Sequence, residues 1–412
     1  MRVLHLSPWQ QRCGIARYTE ELVHWLGRIG VDSHVHPLNA RMRKYLTLEE
    51  IRGDLAAFAD EARNHDLVHV QHEYSFFNDI SCRMQTSIEN FAFLLKRLRA
   101  AGKPVLVTFH SEPDPALTIG DVFFAEKGVR AHLRRYLAAR SWRRKVAPFF
   151  HGGDCSFGAL VLSRVTRVSL AHSGFVDSCI DVVPHGCAPR DESKVRLEGR
   201  LAKERLGYPA DCILLSQFGF ITPYKGHEVA LDALKRLPGH YHLALVGGPH
   251  PEARGDATLD RVLAAARRSR ELAGRVRVTG YAEPDLVDLY HAATDFCVAP
   301  YYDIKFAGSG AITWALSSGK PIIASRIPAF TEINEQAECM VTFTAGTPLE
   351  LAWRIERLAS DPALQRKLAG NAGEYVRRNS WSVCAEATLA VYRSLLREKG
   401  RPRRALAWSR AA

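Results

Sequence analysis

Several sequence features that mark special classes of protein are missing from this chain. Its nine cysteines are scattered and include no C-x-x-C pair, which excludes the common zinc frameworks and dense disulfide scaffolds. No run of about 18 apolar residues occurs, so no membrane-spanning helix is expected. Residues 1–8 lack the basic start, long apolar run and small-residue cleavage site of a signal peptide. We therefore expect a cytoplasmic protein.

Two ligand-binding signatures are also missing. Residues 7–14 follow the first predicted strand without supplying G-x-G-x-x-G, which argues against an NAD-dependent oxidoreductase. The chain has 56 Lys and Arg against 44 Asp and Glu, a balance that attracts nucleotides, nucleic acid or an anionic membrane surface. Because no nucleic-acid recognition motif accompanies this charge, no nucleic-acid partner is expected.

The pattern that is present is an alternation of short apolar strands and longer amphipathic helices through most of the 412 residues. It predicts an α/β fold in which right-handed crossovers join parallel strands. Each half of the chain predicts one Rossmann-like domain. The predicted strands are 2–6, 33–37, 67–71, 104–109 and 159–162 in the first half, and 212–218, 241–246, 276–279, 295–299 and 321–324 in the second.

A polar, charged segment at 187–198 interrupts the alternation. We place the domain boundary there, which gives an N-terminal domain of residues 1–189 and a C-terminal domain of residues 190–381. Open α/β sheets bind ligands at the carboxyl ends of their strands, so candidate functional residues should follow strands.

Three candidate positions follow strands of the first half. Gly14 opens a helix whose amides can meet a phosphate or sugar oxygen, although a tight turn explains it equally well. His110 follows the fourth strand and either hydrogen-bonds a sugar hydroxyl or caps the strand. His69 and His72 fall on opposite strand faces and would not converge on a metal. His72 and Glu73 are therefore interpreted as polar residues at a cleft edge.

The second half carries a stronger signal, in two loops that each lead into a helix. The loop 218–226 contains Gly219 and Lys225, and a lysine fixed there suits a diphosphate whose charge grows as a glycosidic bond breaks. The loop 306–311 is rich in small residues whose amides can bind the same phosphates, namely Gly308, Ser309, Gly310 and Ala311. Structural packing is the alternative for each loop alone, and the two together favour phosphate binding.

The order of these motifs resembles glycosyltransferase family 4, a group of retaining glycosyltransferases with the GT-B fold. The resemblance implies two Rossmann-like domains facing across a cleft, with the acceptor on the N-terminal domain and the donor on the C-terminal domain. It implies that a C-terminal helix, 382–400, returns to the N-terminal domain. It also implies that Gly219, Lys225 and Gly247 contact the donor. The matching segments are 14–15, 107–110 (VTFH), 181–186 (DVVPHG), 219–226, 243–248 (LALVGG), 289–295 and 380–381.

The chain departs from the family at several donor-site positions. Two glutamates that the family commonly carries are replaced by Phe306 and Trp314, and the usual arginine after Gly219 is missing. Transfer is not thereby excluded, because retaining GT-B transfer is thought to depend on donor phosphate oxygens and a fixed cation. Trp314 is a candidate for stacking on the base or ribose, and Asp303 or Lys305 for reaching the sugar.

The resemblance implies transfer of a hexose, such as mannose or glucose, from a GDP- or UDP-linked donor. The expected acceptor is a glycan or lipid-linked precursor of bacterial polysaccharide or glycolipid. His110 and Lys225 are the expected catalytic residues, and neither a metal nor a further cofactor is expected. The alternative is a catalytically inactive, glycosyltransferase-like binding module.

A basic amphipathic stretch at 133–145 suggests one further partner. It either lies on an anionic membrane and brings a lipid-linked acceptor to the enzyme, or forms a solvated basic face. Peripheral binding at the inner membrane face is therefore a hypothesis alongside a purely cytoplasmic location.

Overall fold

The computed structural model describes residues 1–39, 43–111, 129–152, 156–188, 199–250, 256–302 and 310–397. The described residues divide into two compact units. The first contains those of Met1–Gly186 together with the C-terminal segment that begins at Trp381, and the second lies between Cys187 and Ser380.

A six-stranded parallel sheet forms the centre of the first unit. Its order is β2-β1-β3-β4-β5-β6. Strands β3 and β4 are buried at every residue, as a parallel sheet covered by helices on both faces requires. The strands are β1 (Arg2–Ser7), β2 (Asp32–Pro37), β3 (Leu67–His72), β4 (Val105–Phe109), β5 (Phe157–Val161) and β6 (Ile180–Val182).

Amphipathic helices cover this sheet. Helix α2 shows how the sequence sets a helix start, because the Thr47 side chain accepts from the Glu50 amide while the Glu50 side chain accepts from the Thr47 amide. The described helices of the first unit that precede Gly186 are α1 (Gly14–Arg28), α2 (Leu48–Glu61), α3 (Met84–Ala100), α4 (Val129–Lys145) and α5 (Arg164–His172).

The second unit repeats the architecture, with strand order β12-β11-β10-β7-β8-β9. Its strands are β7 (Ile213–Phe218), β8 (Tyr241–Val246), β9 (Val276–Val278), β10 (Phe296–Ala299), β11 (Ile322–Ser325) and β12 (Met340–Phe343). The described helices of the second unit are α6 (Gly199–Arg205), α7 (His227–Leu234), α8 (Thr258–Arg268), α9 (Pro284–Ala293), α10 (Gly310–Ser317), α11 (Pro328–Ala337), α12 (Pro348–Ala359) and α13 (Pro362–Arg378).

The last helix, α14 (Trp381–Arg397), belongs to the first unit. It packs against α1 in a core that includes Tyr18, Leu22, Cys384 and Tyr392. Gly186 lies so close to the start of α14 that a Cβ atom there would sit 2.2 Å from the indole of Trp381. A larger residue at 186 would therefore displace the helix.

The ten predicted strands are confirmed, with ends that differ from the observed ones by at most two residues. Strand β12 was not predicted, because it is only four residues long and two of those residues are only half-buried. Strand β6 was not separated from the segment before the domain boundary, since only three residues pair with β5.

A partly buried charge cluster ties β2 to α2. The imidazole of His36 contacts the carboxylate of Glu61 at 2.7 Å and that of Asp54 at 3.4 Å. Hydrogen bonds to Asp54 and then to Glu61 outweigh burial and raise the pKa of His36 above its ordinary value. A group whose pKa is raised by folding stabilises the protein below its unfolded pKa, and this stabilisation is lost as pH rises through the folded pKa.

We therefore expect His36→Gln to destabilise the protein by about 1 kcal/mol near pH 6 and by less near pH 9. Urea unfolding at the two pH values measures the difference. The matched control is His34→Gln, because the side chain of His34 is about half exposed and its ion-pair partner, Asp32, is exposed as well. Equal losses at both pH values would show that the charge of His36 contributes nothing.

Candidate functional site

The strongest candidate site lies at the carboxyl ends of the central strands of the second unit. Gly219 follows β7 directly and has φ +96, a conformation that side chains other than glycine rarely adopt. A Cβ atom at this position would lie 2.3 Å from Nζ of Lys225. The absence of a side chain at 219 is therefore what allows the ammonium group to lie against the backbone.

A short turn holds Lys225 in this place. Residues Pro223–Lys225 form one 3-10 turn, and Gly226 follows with φ +62. A Cβ at Gly226 would lie 2.0 Å from the carbonyl oxygen of Pro300, which follows β10. The side-chain amide of Gln217 also donates to the backbone carbonyl of Lys225 at 2.7 Å. The lysine backbone is thus fixed from two neighbouring strands.

The Lys225 side chain is a buried cation with few partners. It is 4% exposed, and its ammonium donates to the Phe218 carbonyl at 3.2 Å. The ammonium also lies 5.5 Å from the centre of the Tyr301 ring. Among the described residues no carboxylate forms an ion pair with it. A buried cation without a counter-charge is a natural position for a bound anion.

Burial also changes how Lys225 ionises. Desolvation lowers its pKa to about 7. Lys225 therefore titrates near neutral pH, well below the range in which an exposed lysine titrates.

The N-terminus of α10 approaches the same point. A Cβ at Gly219 would lie 3.1 Å from Cβ of Ala311, in the first turn of that helix. The amides at a helix N-terminus carry partial positive charge and bind anions. The structure therefore brings together Gly219, Lys225 and the residues Gly310–Ala311. The predicted positions Asp303, Gly308 and Ser309 lie outside the described residues.

Gly247 contributes close packing. It follows β8, and a Cβ there would lie 2.1 Å from the carbonyl oxygen of Gly219. Its amide donates to the Thr279 hydroxyl at 3.0 Å. The absence of a side chain at Gly247 thus lets the end of β8 pack directly against the backbone of Gly219.

Trp314 lies on the exposed face of α10. It is 42% exposed, and it stands four residues after the exposed Gly310, so the two share a helix face. The opposite face of α10 is buried through Ile312 and Leu316. The indole is accessible and stands one turn from the helix N-terminus.

The first unit contains the second candidate, His110, immediately after β4. Its Nε2–H donates to Oε1 of Gln71 at 2.7 Å, and its ring meets the edge of Tyr18 at 5.0 Å between centres. Burial and then the neighbouring His185 lower the pKa of His110 to about 3. His110 is therefore a neutral hydrogen-bonding group at physiological pH.

Two residues that contact His110 were given no role from the sequence. Gln71 and Tyr18 come from distant parts of the chain, and only the fold brings them to His110. Gln71 alone carried a signal, since an amide inside a buried strand needs a polar partner.

The other predicted positions in the first unit have different surroundings. Gly14 begins α1 and is exposed, and a Cβ there would meet no atom within 4 Å. His72 is 1% exposed and packs among the rings of Phe91, Phe109 and Trp142. His72 thus lies in the aromatic core instead of at a surface edge. Glu73 beside it is partly buried.

Comparison with known proteins gives a family match in the second half of the chain. The family model described as glycosyl transferases group 1 matches residues 213–361. D-inositol 3-phosphate glycosyltransferases from Streptomyces bingchenggensis and Acidothermus cellulolyticus are 28% and 31% identical to this chain over 215 and 206 residues. Each alignment covers 48% of this chain but only 45% and 44% of the relatives. The chain thus spans less than half the length of these two relatives.

Solved structures extend the similarity to both units. Sucrose-phosphate synthase from Thermosynechococcus elongatus aligns with a TM-score of 0.70 at 20% identity, over 96% of this chain and 99% of that one. Anabaena HepE in complex with UDP aligns with a TM-score of 0.68 at 16% identity, over 96% and 100%. At these identities the likeness shows the fold. Residues 213–361 therefore match the group 1 glycosyl transferase model, within a chain that has the GT-B fold.

Proposed function

We propose that this chain is a retaining hexosyltransferase that uses a nucleotide-diphosphate sugar as donor. The observation that carries the proposal is the buried ammonium of Lys225, which lies beside the Gly219 turn and the N-terminus of α10 with no described carboxylate paired to it. A bound diphosphate supplies the negative charge that the buried ammonium lacks. The group 1 domain over residues 213–361 supports the assignment.

The proposed chemistry depends on charge that develops on the donor. As the glycosidic bond breaks, negative charge grows on the leaving diphosphate, where Lys225 and the amides of α10 stabilise it. The acceptor hydroxyl attacks from the face the diphosphate leaves and gives its proton to a phosphate oxygen, so the anomeric configuration is retained. This route needs no metal.

The proposed donor is a nucleotide-diphosphate hexose, and the proposed acceptor is a glycan or a lipid-linked precursor. One solved relative was crystallised with UDP-glucose, which makes UDP-glucose the first donor to test, with GDP-mannose as the alternative. Trp314, accessible on α10, is proposed to stack on the base or ribose. His110 is proposed to hydrogen-bond a hydroxyl of the sugar or of a glycan or lipid-linked acceptor.

An inactive binding module is the second candidate function. Phe306 and Trp314 stand where related enzymes commonly carry glutamates, which is the observation that favours it. Both candidates bind a nucleotide sugar, but only the enzyme releases nucleoside diphosphate from it.

Lys225→Ala is expected to lower the rate of nucleotide release from UDP-glucose or GDP-mannose by about 10²-fold or more, because it removes a few kcal/mol of transition-state stabilisation. A coupled assay for released UDP or GDP measures the rate. Lys235→Ala is the matched control, since Lys235 lies on the same unit and pairs with Asp232 at the surface. A rate unchanged in Lys225→Ala would remove this residue from the mechanism.

Donor binding is expected to depend on pH through Lys225. The lysine has a pKa of about 7 in the free protein, and a bound diphosphate raises it, so binding above neutral pH takes up a proton. The Kd for UDP-glucose should be constant below about pH 7 and should rise, by at most about tenfold per pH unit, above it.

Isothermal titration calorimetry in buffers of different ionisation enthalpy measures both the Kd and the proton uptake. UDP-glucose is the suitable probe because its diphosphate is esterified at both ends and does not titrate in this range. Lys225→Arg, which keeps its charge, should bind without the pH dependence. A wild-type Kd that is constant from about pH 6 to pH 9 would contradict the assignment.

Peripheral membrane contact is proposed for α4. This helix contains no acidic residue, and exposed Leu133 and Leu137 lie among exposed arginines. Among the described residues, no helix has the length and apolarity needed to cross a bilayer. Any membrane contact through α4 would therefore be made at the surface, where each cation contributes roughly 1 kcal/mol toward anionic lipid.

The protein is expected to float with vesicles that contain anionic phospholipid at low salt, and to stay unbound with neutral vesicles. The double variant Arg134→Glu with Arg140→Glu should remove flotation. The control variant, Arg366→Glu with Lys367→Glu, carries the same charge change on α13 and should still float. Flotation that is negative with anionic lipid at low salt would exclude the membrane role.

A further inference from the structure

A chain of buried polar side chains connects His110 to the C-terminal helix. His110 bonds Gln71 at 2.7 Å, Gln71 approaches His69 at 3.4 Å, and His69 contacts the Tyr392 hydroxyl at 2.7 Å. Thr108 also contacts His69, at 2.7 Å. We call His110, Gln71, His69, Thr108 and Tyr392 the polar chain. All but His110 are completely buried.

The chemistry of the groups fixes the direction of each hydrogen bond. Oε1 of Gln71 is a carbonyl oxygen and can only accept, so Nε2 of His110 must carry a proton. The amide nitrogen of Gln71 can only donate, so Nε2 of His69 is the acceptor.

Tyr392 accepts the hydrogen bond at the far end of the polar chain. Since Nε2 of His69 is unprotonated, the Thr108 hydroxyl donates to it. The proton of neutral His69 must then lie on Nδ1, which donates to the Tyr392 hydroxyl. Burial lowers the pKa of both His69 and His110, so each ring is neutral and has one donor and one acceptor nitrogen.

Packing holds the His110 ring from another side. Tyr18 meets it edge to face at 5.0 Å, and Tyr18 in turn contacts Trp381, the first residue of α14. Nδ1 of His110 has no hydrogen-bond partner among the described residues. With Nε2–H committed to Gln71, Nδ1 is left as a fixed acceptor.

We propose that Gln71, supported by His69 and Tyr392, is a positioning residue that holds His110 in the Nε2–H tautomer, so that Nδ1 accepts a hydrogen bond from a substrate hydroxyl. The ligand it would take is a neutral polyhydroxyl group, a sugar or polyol. The contact with a hydroxyl rests on the proposed glycosyltransferase function, whereas the tautomer does not.

A purely structural role for the chain would satisfy buried groups without selecting a tautomer. The two roles differ in what happens to His110 when a distant member is changed. In a positioning role, loss of the Gln71 carbonyl removes the preference for Nε2–H. In a structural role, His110 keeps its tautomer and only the stability falls.

Nitrogen-15 NMR of the full chain labelled in histidine reads the tautomer directly, in the absence of any substrate. The His110 signals are those lost in His110→Gln. The expected result is a protonated Nε2 and an unprotonated Nδ1 for His110, with the reverse for His69. A protonated Nδ1 on His110 would overturn the proposal.

Two variants test whether Gln71 sets this state. Gln71→Leu should give His110 a mixture of tautomers, and an unchanged Nε2–H signal would contradict the proposal. Gln71→Glu keeps the acceptor and should raise the pKa of His110 above that of the wild type, since a carboxylate stabilises imidazolium. The second variant keeps the test decisive if the first does not fold, and no rise in pKa would count against the proposal.

Tyr392→Phe tests the far end of the chain. It removes the acceptor for Nδ1–H of His69, so His69 should change tautomer and His110 should lose its single state. The matched control is Thr388→Val on the same helix. The Thr388 side chain is equally buried, but its hydroxyl donates to the Cys384 carbonyl within α14 and takes no part in the polar chain. The control should leave both histidines unchanged.

Nucleotide release from UDP-glucose provides the functional readout. Gln71→Leu should lower kcat about tenfold with little change in the donor KM, which corresponds to about 1.4 kcal/mol of transition-state stabilisation. A wild-type chain that releases no nucleotide, yet shows the expected tautomers, would contradict the proposed function and leave the polar chain intact. A protonated Nδ1 on His110 would contradict the positioning role whether or not the chain releases nucleotide.

Discussion

The buried ammonium of Lys225 is the interaction on which the second unit's site depends. Removing a cation from water without a nearby carboxylate costs several kcal/mol, and the lowered pKa of this lysine expresses that cost. Gly219 and Gly226 accept left-handed conformations so that the side chain can occupy this position. The unfavourable burial of the ammonium makes sense if an anion completes the site.

The two units offer opposite kinds of chemistry. The second unit presents positive charge, from Lys225 and a helix N-terminus, at the ends of parallel strands. The first unit presents His110 as a neutral ring with a defined acceptor nitrogen, held by a buried amide and a tyrosine. Under the proposed function, the second unit suits the charged phosphates of a donor and the first unit suits the neutral hydroxyls of a sugar.

The pattern of apolar residues was sufficient to predict ten of the twelve described strands, because a parallel strand buried on two faces must be a short apolar run. The Gly219 to Gly226 loop could also be identified, since its glycines and lysine are adjacent in the sequence. His72 was less predictable. Its polar type suggested a surface position, yet the aromatic residues that enclose it come from β4, α3 and α4, which no local pattern connects.

The sequence by itself determined the alternation of strands and helices, the position of the loop 219–226 and the helical character of the last segment, because each depends on residues close together in the chain. Only the tertiary structure decided that Tyr392 completes a hydrogen-bonded chain to His110, and that Ala311 lies beside Gly219. These contacts join residues that are far apart in sequence. They follow from the order of the strands and the return of α14, and hydrogen-bond direction is defined only once the partners are in place.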